Sequence, residues 1–204
     1  SDLHRNHHPL MENGEIAIIQ VRDKIDIAGL RPTPSGISLM AMSGETLYEI
    51  EIDIDLCEQH YLRSLIIKEP VTQISPWNSK YLLLLTSGTL VSVEQSGLNP
   101  IIPTDEVVSS LAALPHGYAA VASGSTLLVT SQASTVTQFY GEGITCCALS
   151  MGFHTVVCGT ATGTIVFCTL ESGIKTRIVS LDGEEPVKIQ ITSGWGFVLT
   201  ETKN

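Results

Sequence analysis

Four stretches of this sequence carry the same succession of features, and that internal repetition constrains the fold more than any other property of the chain. They cover residues 71–95, 107–131, 144–170 and 187–204, and their first strands begin at 71, 107, 144 and 187, steps of 36, 37 and 43 residues. Each opens on a short apolar strand that runs into a small turn: Ser75-Pro76-Trp77-Asn78, Leu114-Pro115-His116-Gly117, Ser150-Met151-Gly152-Phe153 and Ser193-Gly194-Trp195-Gly196. Second strands are predicted over 81–85, 118–122, 155–159 and 197–200. A tight turn follows in three of them, carrying Ser87-Gly88, Ser123-Gly124 or Thr162-Gly163, where glycine supplies the positive φ of a short hairpin. Third strands rich in β-branched residues are predicted over 89–93, 126–130 and 164–168, and weaker fourth strands over 135–140 and 177–181. A fainter copy precedes these, with strands expected over 25–28, 36–42, 46–53 and 61–68.

Apolar residues fall in runs of about 4–8 bounded by Gly, Pro and Ser, and helical periodicity is scarce, so the chain reads as all-β. Four-stranded units of about 40 residues match the blades of a β-propeller, whose small twisted sheets stack because none can bury both faces alone. The expected architecture is an incomplete propeller of about four and a half blades, out of a total of about seven. The last unit stops at its hairpin tip, Glu201-Thr202-Lys203-Asn204, so truncation within that blade is expected. Residues 1–14 read as a polar linker and 15–204 as the partial propeller, with 15–21 a candidate outer strand for closing the ring.

Charge narrows the partners. Twenty-one acids against 11 bases give a formal charge of −10, which repels a phosphate backbone, so nucleic acid is not an expected partner. Only 16% of residues are charged while 43% are apolar, which suggests that some apolar surface meets something outside this chain. No apolar run approaches a bilayer span and no charged-then-apolar segment opens the sequence, so membrane contact is expected only indirectly. Five cysteines, Cys57, Cys146, Cys147, Cys158 and Cys168, scattered in apolar runs, read as reduced thiols in a cytoplasmic setting. Cys158 and Cys168 stand where a hairpin brings two residues near each other, yet reduced core thiols remain the expectation.

Two segments carry a family resemblance. Ile74-Ser75-Pro76-Trp77-Asn78-Ser79-Lys80-Tyr81-Leu82 resembles the middle of a WD repeat, although no Gly-His pair opens a unit and no Trp-Asp closes a third strand. That departure implies blades held more by apolar packing than by the family's buried Asp-His-Ser network. The run Ile189-Gln190-Ile191-Thr192-Ser193-Gly194-Trp195-Gly196-Phe197-Val198 is similar to a late-blade segment of BEACH-domain proteins. The opening, Leu3-His4-Arg5-Asn6-His7-His8-Pro9, is similar to the tail that joins their BEACH domain to the propeller behind it. The resemblance implies a cytoplasmic scaffold of vesicle trafficking, lysosome biology or autophagy, peripheral on vesicle membranes, with an upstream BEACH domain as a partner in cis.

Candidate sites lie on the two ends of the stacked units. Turns after the first strands present Trp77, His116, Phe153, His154 and Trp195, which form either an aromatic docking face or wedges between neighbouring blades, packing being the ordinary expectation. Connections between units carry Glu69, Asp105, Glu106, Glu142, Asp182, Glu184 and Glu185, an acidic face suited to basic peptides or else simply solvated. His4, His7 and His8 sit in a polar terminus, and Cys146 and Cys147 point to opposite faces of a strand, so no metal site is expected. Glu49, Glu51, Asp53 and Asp55 alternate with Tyr48, Ile50, Ile52 and Ile54 and read as the solvated face of a strand. The glycine turns lack a phosphate-loop pattern, no cofactor motif appears, and the first strands carry no carboxylate, so a non-catalytic protein-binding module is expected. A propeller hydrolase, or the propeller of a coat or cytoskeletal scaffold, is the alternative.

Overall fold

The computed structural model describes residues 24–56, 58–101, 107–114, 117–130, 135–139, 143–150, 154–170, 172, 174–191 and 196–202. They form antiparallel strands, with no helix among the described residues. The first sheet holds β1 (Ile27–Thr33), β2 (Gly36–Ser43), β3 (Thr46–Asp53) and β4 (Glu58–Ile66). The second holds β5 (Val71–Trp77), β6 (Lys80–Leu85), β7 (Leu90–Glu94) and β8 (Gly97–Pro100). The third holds β9 (Ser110–Ala113), β10 (Ala119–Ser123), β11 (Thr126–Thr130) and β12 (Thr135–Phe139). The fourth holds β13 (Ile144–Ser150), β14 (Thr155–Thr160), β15 (Thr164–Thr169) and β16 (Lys175–Ser180), and a two-stranded sheet pairs β17 (Glu184–Ile191) with β18 (Gly196–Thr202). Within each four-stranded sheet the spatial order follows the chain, so every connection is a hairpin.

The sheets stack face to face, and their first strands β1, β5, β9, β13 and β17 lie side by side in succession. Period two sends alternate side chains of each middle strand into two different layers. Tyr81 and Leu83 of β6 meet Met40, Met42 and Leu47 of the first sheet, while Leu82 and Leu84 meet Leu111, Ala119 and Val121 of the third. Cys147 lies with Ala120, Ala122 and Val129 between the third and fourth sheets, while Cys146 lies with Val157 and Ile189 between the fourth and β17. The two adjacent thiols therefore face opposite layers, as alternation predicts, and both are buried. Each fully buried Leu or Val contributes about 1.5–3 kcal/mol relative to exposure, so these layers supply the main cohesion between sheets. Where the fourth sheet meets β17 the Gly159 backbone packs directly against side chains: a Cβ there would lie 2.5 Å from Pro186 Cγ and 2.8 Å from Cys146 Sγ.

One main-chain hydrogen bond recurs at each step of the stack. The turn between second and third strands offers a carbonyl to the N–H of the segment entering the next sheet: Glu45 O to Ile67 N at 2.7 Å, Gly88 O to Val108 N at 2.9 Å, Gly124 O to Ile144 N at 2.7 Å, Gly163 O to Leu181 N at 2.8 Å. Neighbouring sheets are thus tied at one end before any side chain is counted.

Two expectations change. Glu49 and Glu51 do not lie on a solvated face: β3 is covered on both sides, and their face, shared with Leu47, turns toward the second sheet. A carboxylate partly withdrawn from water gains from a partner, and Arg63 of β4 supplies it, Nε to Glu49 Oε2 at 2.6 Å, while donating a second bond to the Glu94 carbonyl across the layer. The first strand of the third unit, expected from 107, begins at Ser110: the Val108 N–H turns to Gly88 O of the second sheet, and pairing with β10 starts with the Ser109 N–H on Ala122 O.

Candidate interaction faces

The inner strands form the wall of a shallow cavity of about 320 Å³, lined by Gln73, Ser75, Ser109, Ser110, Thr145 and Lys188 among others. Its geometry grows from a repeated irregularity. The register slips by one residue in β5 between Val71 and Gln73, in β13 between Ile144 and Cys146, and in β17 between Pro186 and Lys188. A β-bulge leaves a main-chain carbonyl to be satisfied, and a hydroxyl does so at the matching place in successive sheets. Thr72 Oγ1 donates to Leu84 O at 3.0 Å; Ser109 Oγ lies 3.1 Å from Ala122 O and from Ile144 O of the next sheet; Thr145 Oγ1 donates to Pro186 O. Gln73 Oε1 accepts from Leu111 N at 2.9 Å, and Ser110 Oγ accepts from Cys147 N at 3.1 Å. Apart from Thr72, whose bond stays within the second sheet, these groups join sheet to sheet, and Lys188 is the cation on the described wall. None of them was singled out from sequence, where an isolated Ser, Thr or Gln in a strand carries no signal of its own.

Of the predicted aromatic face, Trp77 and His154 are described, whereas His116, Phe153 and Trp195 lie outside the described residues. Trp77 is half-buried against Leu82, Leu84, Leu111 and Ala113, and its Nε1–H donates to Gly117 O at 3.0 Å, a bond from the second sheet to the third. His154 occupies the turn that corresponds to Asn78, and both residues take the left-handed conformation, φ 47° and 56°. Asn and His adopt that conformation more readily than most residues, so His154 has a backbone reason to be there.

Of the predicted acidic face, Glu69, Asp182, Glu184 and Glu185 are described, while Asp105, Glu106 and Glu142 lie outside the described residues. Glu69 caps the Ser87-Gly88 turn: its Oε1 accepts from the Ser87 N–H and, at 3.1 Å, from Thr86 Oγ1. Those bonds, the Ser87 ones first, hold its carboxyl below the ordinary glutamate range. Glu184 Oε2 accepts from Thr200 Oγ1 at 2.6 Å, tying β17 to β18, and Asp182 sits in the connecting turn at φ 52°. Glu69 and Asp182 lie in inter-sheet connections as expected, whereas Glu184 and Glu185 open strand β17, paired with Thr202 and Glu201 of β18, and Glu69 and Glu184 have local work that precedes any partner. The predicted terminal linker with His4, His7 and His8, and the candidate closing strand 15–21, lie outside the described residues. Among the described residues no group of three His, Cys, Asp or Glu is placed to hold a metal, and Cys146, Cys147, Cys158 and Cys168 are free thiols.

Stacked four-stranded antiparallel sheets with adjacent inner strands place the chain in the class of WD-repeat-like folds. Among solved structures it resembles Saccharomyces cerevisiae Sqt1, a WD40 propeller, with a TM-score of 0.61 at 11% identity, over 87% of this chain and 56% of that one. At that identity the likeness is one of fold, and the chain spans little more than half of Sqt1. No family model and no curated protein matches the sequence.

Proposed function

We propose that the chain is part of an incomplete WD-repeat propeller acting as a non-catalytic protein–protein interaction module. The observation that carries this reading is the succession of stacked sheets with their inner strands side by side, a rigid frame that presents loops at two ends. Protein or peptide partners fit the composition, since acids outnumber bases by ten, with Glu69 and Asp182 in the connections and Glu184 and Glu185 at the start of β17. The described cavity wall carries hydroxyls, amides, thiols and one ammonium, groups that can hydrogen-bond a protein segment. The finer assignment is to a large BEACH-type scaffold of membrane trafficking or autophagy, cytoplasmic and peripheral on vesicles, with its BEACH domain as partner in cis. It rests on the 189–198 motif and the His/Pro opening of the sequence.

Sequencing the transcript upstream of this segment tests the assignment. An encoded BEACH domain directly before residue 1 is the expected result. A different upstream domain there overturns the scaffold assignment and favours a coat or cytoskeletal propeller.

A further inference from the structure

The second and third sheets each have a sheet against both faces, and a second cavity, of about 280 Å³, opens between these two. It lies at the end of the stack where the main-chain bonds tie sheet to sheet, and it follows from the late start of β9. Val107 and Val108 lie across the β6–β7 hairpin instead of pairing with β10, the Val108 N–H bonding Gly88 O at 2.9 Å. Glycine permits that approach, because a Cβ at 88 would lie 3.1 Å from Val108 N. The walls combine apolar Leu84, Leu85 and Val107, the last 65% exposed, with the hydroxyls of Thr72, Thr86 and Ser109. Thr72 and Ser109 already donate their protons to main-chain carbonyls, so what they have left to offer is lone pairs. None of the lining residues is charged. Glu69 is not among them, but its Oε1 accepts from Thr86 Oγ1 at 3.1 Å, which puts a carboxylate beside a lining residue.

We propose that this cavity receives a lysine side chain of a partner protein. The inference rests on the interaction-module reading and names the chemistry of one contact. Size sets the first requirement. Pockets for whole small ligands run to about 300–1,000 Å³, so about 280 Å³ suits one long side chain. A lysine stem lies against Leu84, Leu85 and Val107 while its head stays near water. Charge sets the second. Acceptors without a cation among them favour an ammonium, and Glu69 supplies the opposite charge, kept ionised by its bonds to Ser87 and Thr86. The charged groups at this end of the stack include Asp26, Glu45, Glu69, Asp182 and Glu184, against Lys24 and Lys68 among the described residues, a field that steers basic segments. Geometry chooses lysine over arginine. Glu69 Oε1 is already taken by the Ser87 N–H and Thr86 Oγ1, so the carboxylate does not offer both oxygens to a guanidinium fork. Separate hydroxyls and one carboxylate oxygen suit a compact ammonium with three donors.

The test titrates the folded 204-residue chain with a short synthetic peptide, acetyl-Gly-Ser-Lys-Ser-Gly-amide, and reads backbone amide shifts by NMR. Shifts at Thr72, Thr86 and Val107 that saturate at about millimolar peptide are expected. Norleucine in place of the lysine keeps the stem without the charge, and arginine keeps the charge without the compact head; each binds at least about fivefold more weakly. Glu69→Gln retains an acceptor for Ser87 and Thr86, so the turn survives, and weakens the lysine peptide about tenfold. Asp182→Asn removes the same charge from the connection after the fourth sheet, away from the cavity, and changes binding by less than about twofold. The proposal is overturned by unchanged shifts in a folded chain, by arginine binding as tightly as lysine, or by equal losses in the two variants, which would mean diffuse attraction. Shifts confined to residues away from the cavity also overturn it while leaving the module reading intact. None of these readouts depends on an upstream domain, so failure here and failure of the scaffold assignment are separate results.

Discussion

Cys147, Cys158 and Cys168 form a row on one face of the fourth sheet, Cys147 directly opposite Cys158 and Cys168 on the strand beyond. Burial pushes the Cys147 thiol up to about 12, only partly offset by its contact with Ser110; Cys158 is raised well above 9.0, first by its hydrogen bond with Cys168 and then by burial. Thiolates are the reactive form, so these are inert packing groups at neutral pH. The sign of the linkage follows from the acid form being the one the core accepts. The unfolded chain loses the Cys147 proton near 9.0 and the folded chain only near 12, so the stability is whole below pH 9.0 and is lost as pH rises toward 12. Over that window Cys147 alone costs about 1.4 kcal/mol per pH unit. Urea midpoints measured at pH 8, 9 and 10 are expected to fall above pH 9, roughly in that proportion. In Cys147→Ala the midpoint is lower at pH 8 but the alkaline slope is shallower; an unchanged slope means the thiol is not the group responsible.

At the scale of strands and turns, much of the architecture was legible because two local signals repeat. Short continuous runs of apolar residues marked the middle strands, and Ser-Gly or Thr-Gly marked the hairpins at Gly88, Gly124 and Gly163, all three at positive φ. The outer strands were harder. β8 is Gly-Leu-Asn-Pro, with no β-branched residue, and owes its existence to pairing with β7 rather than to propensity. Glu49 and Glu51 misled for a physical reason: acids alternating with isoleucines are the signature of a one-sided sheet, and stacking covers the second side too. The candidate faces were legible only as positions, since sequence cannot tell whether a turn tryptophan faces water or, like Trp77, folds back to a carbonyl of the next sheet. The hairpins also differ in a way that sequence hides. A Cβ on Gly163 would meet Glu184 O at 2.8 Å, while one on Gly44 meets nothing within 4 Å, although both have positive φ (80° and 58°). Gly44→Ala should therefore cost only the conformational penalty, about 1–2 kcal/mol. Gly163→Ala adds a backbone clash at the seam with β17 and disturbs the Gly163 O to Leu181 N bond, so its loss of stability should exceed that of Gly44→Ala by about 1 kcal/mol or more in urea unfolding. Equal losses would mean that the seam yields without cost.

In the 204-residue chain the described sheets form a one-dimensional stack in which each depends on its neighbours, so the stability of this chain should follow position in the stack more than the quality of any one sheet. The second, third and fourth sheets have a sheet against each face, and their second strands hold fully covered side chains: Leu83 at 0% exposure in β6, Ala120 at 0% in β10, Val156 at 0% in β14. β18 is the second strand of its own sheet and should be equally secure by sequence pattern, yet Leu199 is 61% exposed and the layer behind it ends at Val198. What holds β18 is its ladder with β17 and the Thr200–Glu184 bond; what holds β17 is the bulge bond from Thr145 and the contact of Ile189 with the Cys146 layer. None of these reaches the opposite face of the hairpin. Local opening of β17–β18 therefore exposes less apolar surface than opening any central sheet, and should occur first. Native-state hydrogen exchange measures this directly: amides of β18 are expected to exchange at least about a hundredfold faster than those of β6, β10 and β14, with β17 between. Urea in small amounts should accelerate the central strands together, as one cooperative unit, and leave β18 nearly unaffected, because a hairpin that opens alone exposes little new surface. If β18 instead exchanges at the same rate and with the same urea dependence as β10, the stack unfolds only as a whole.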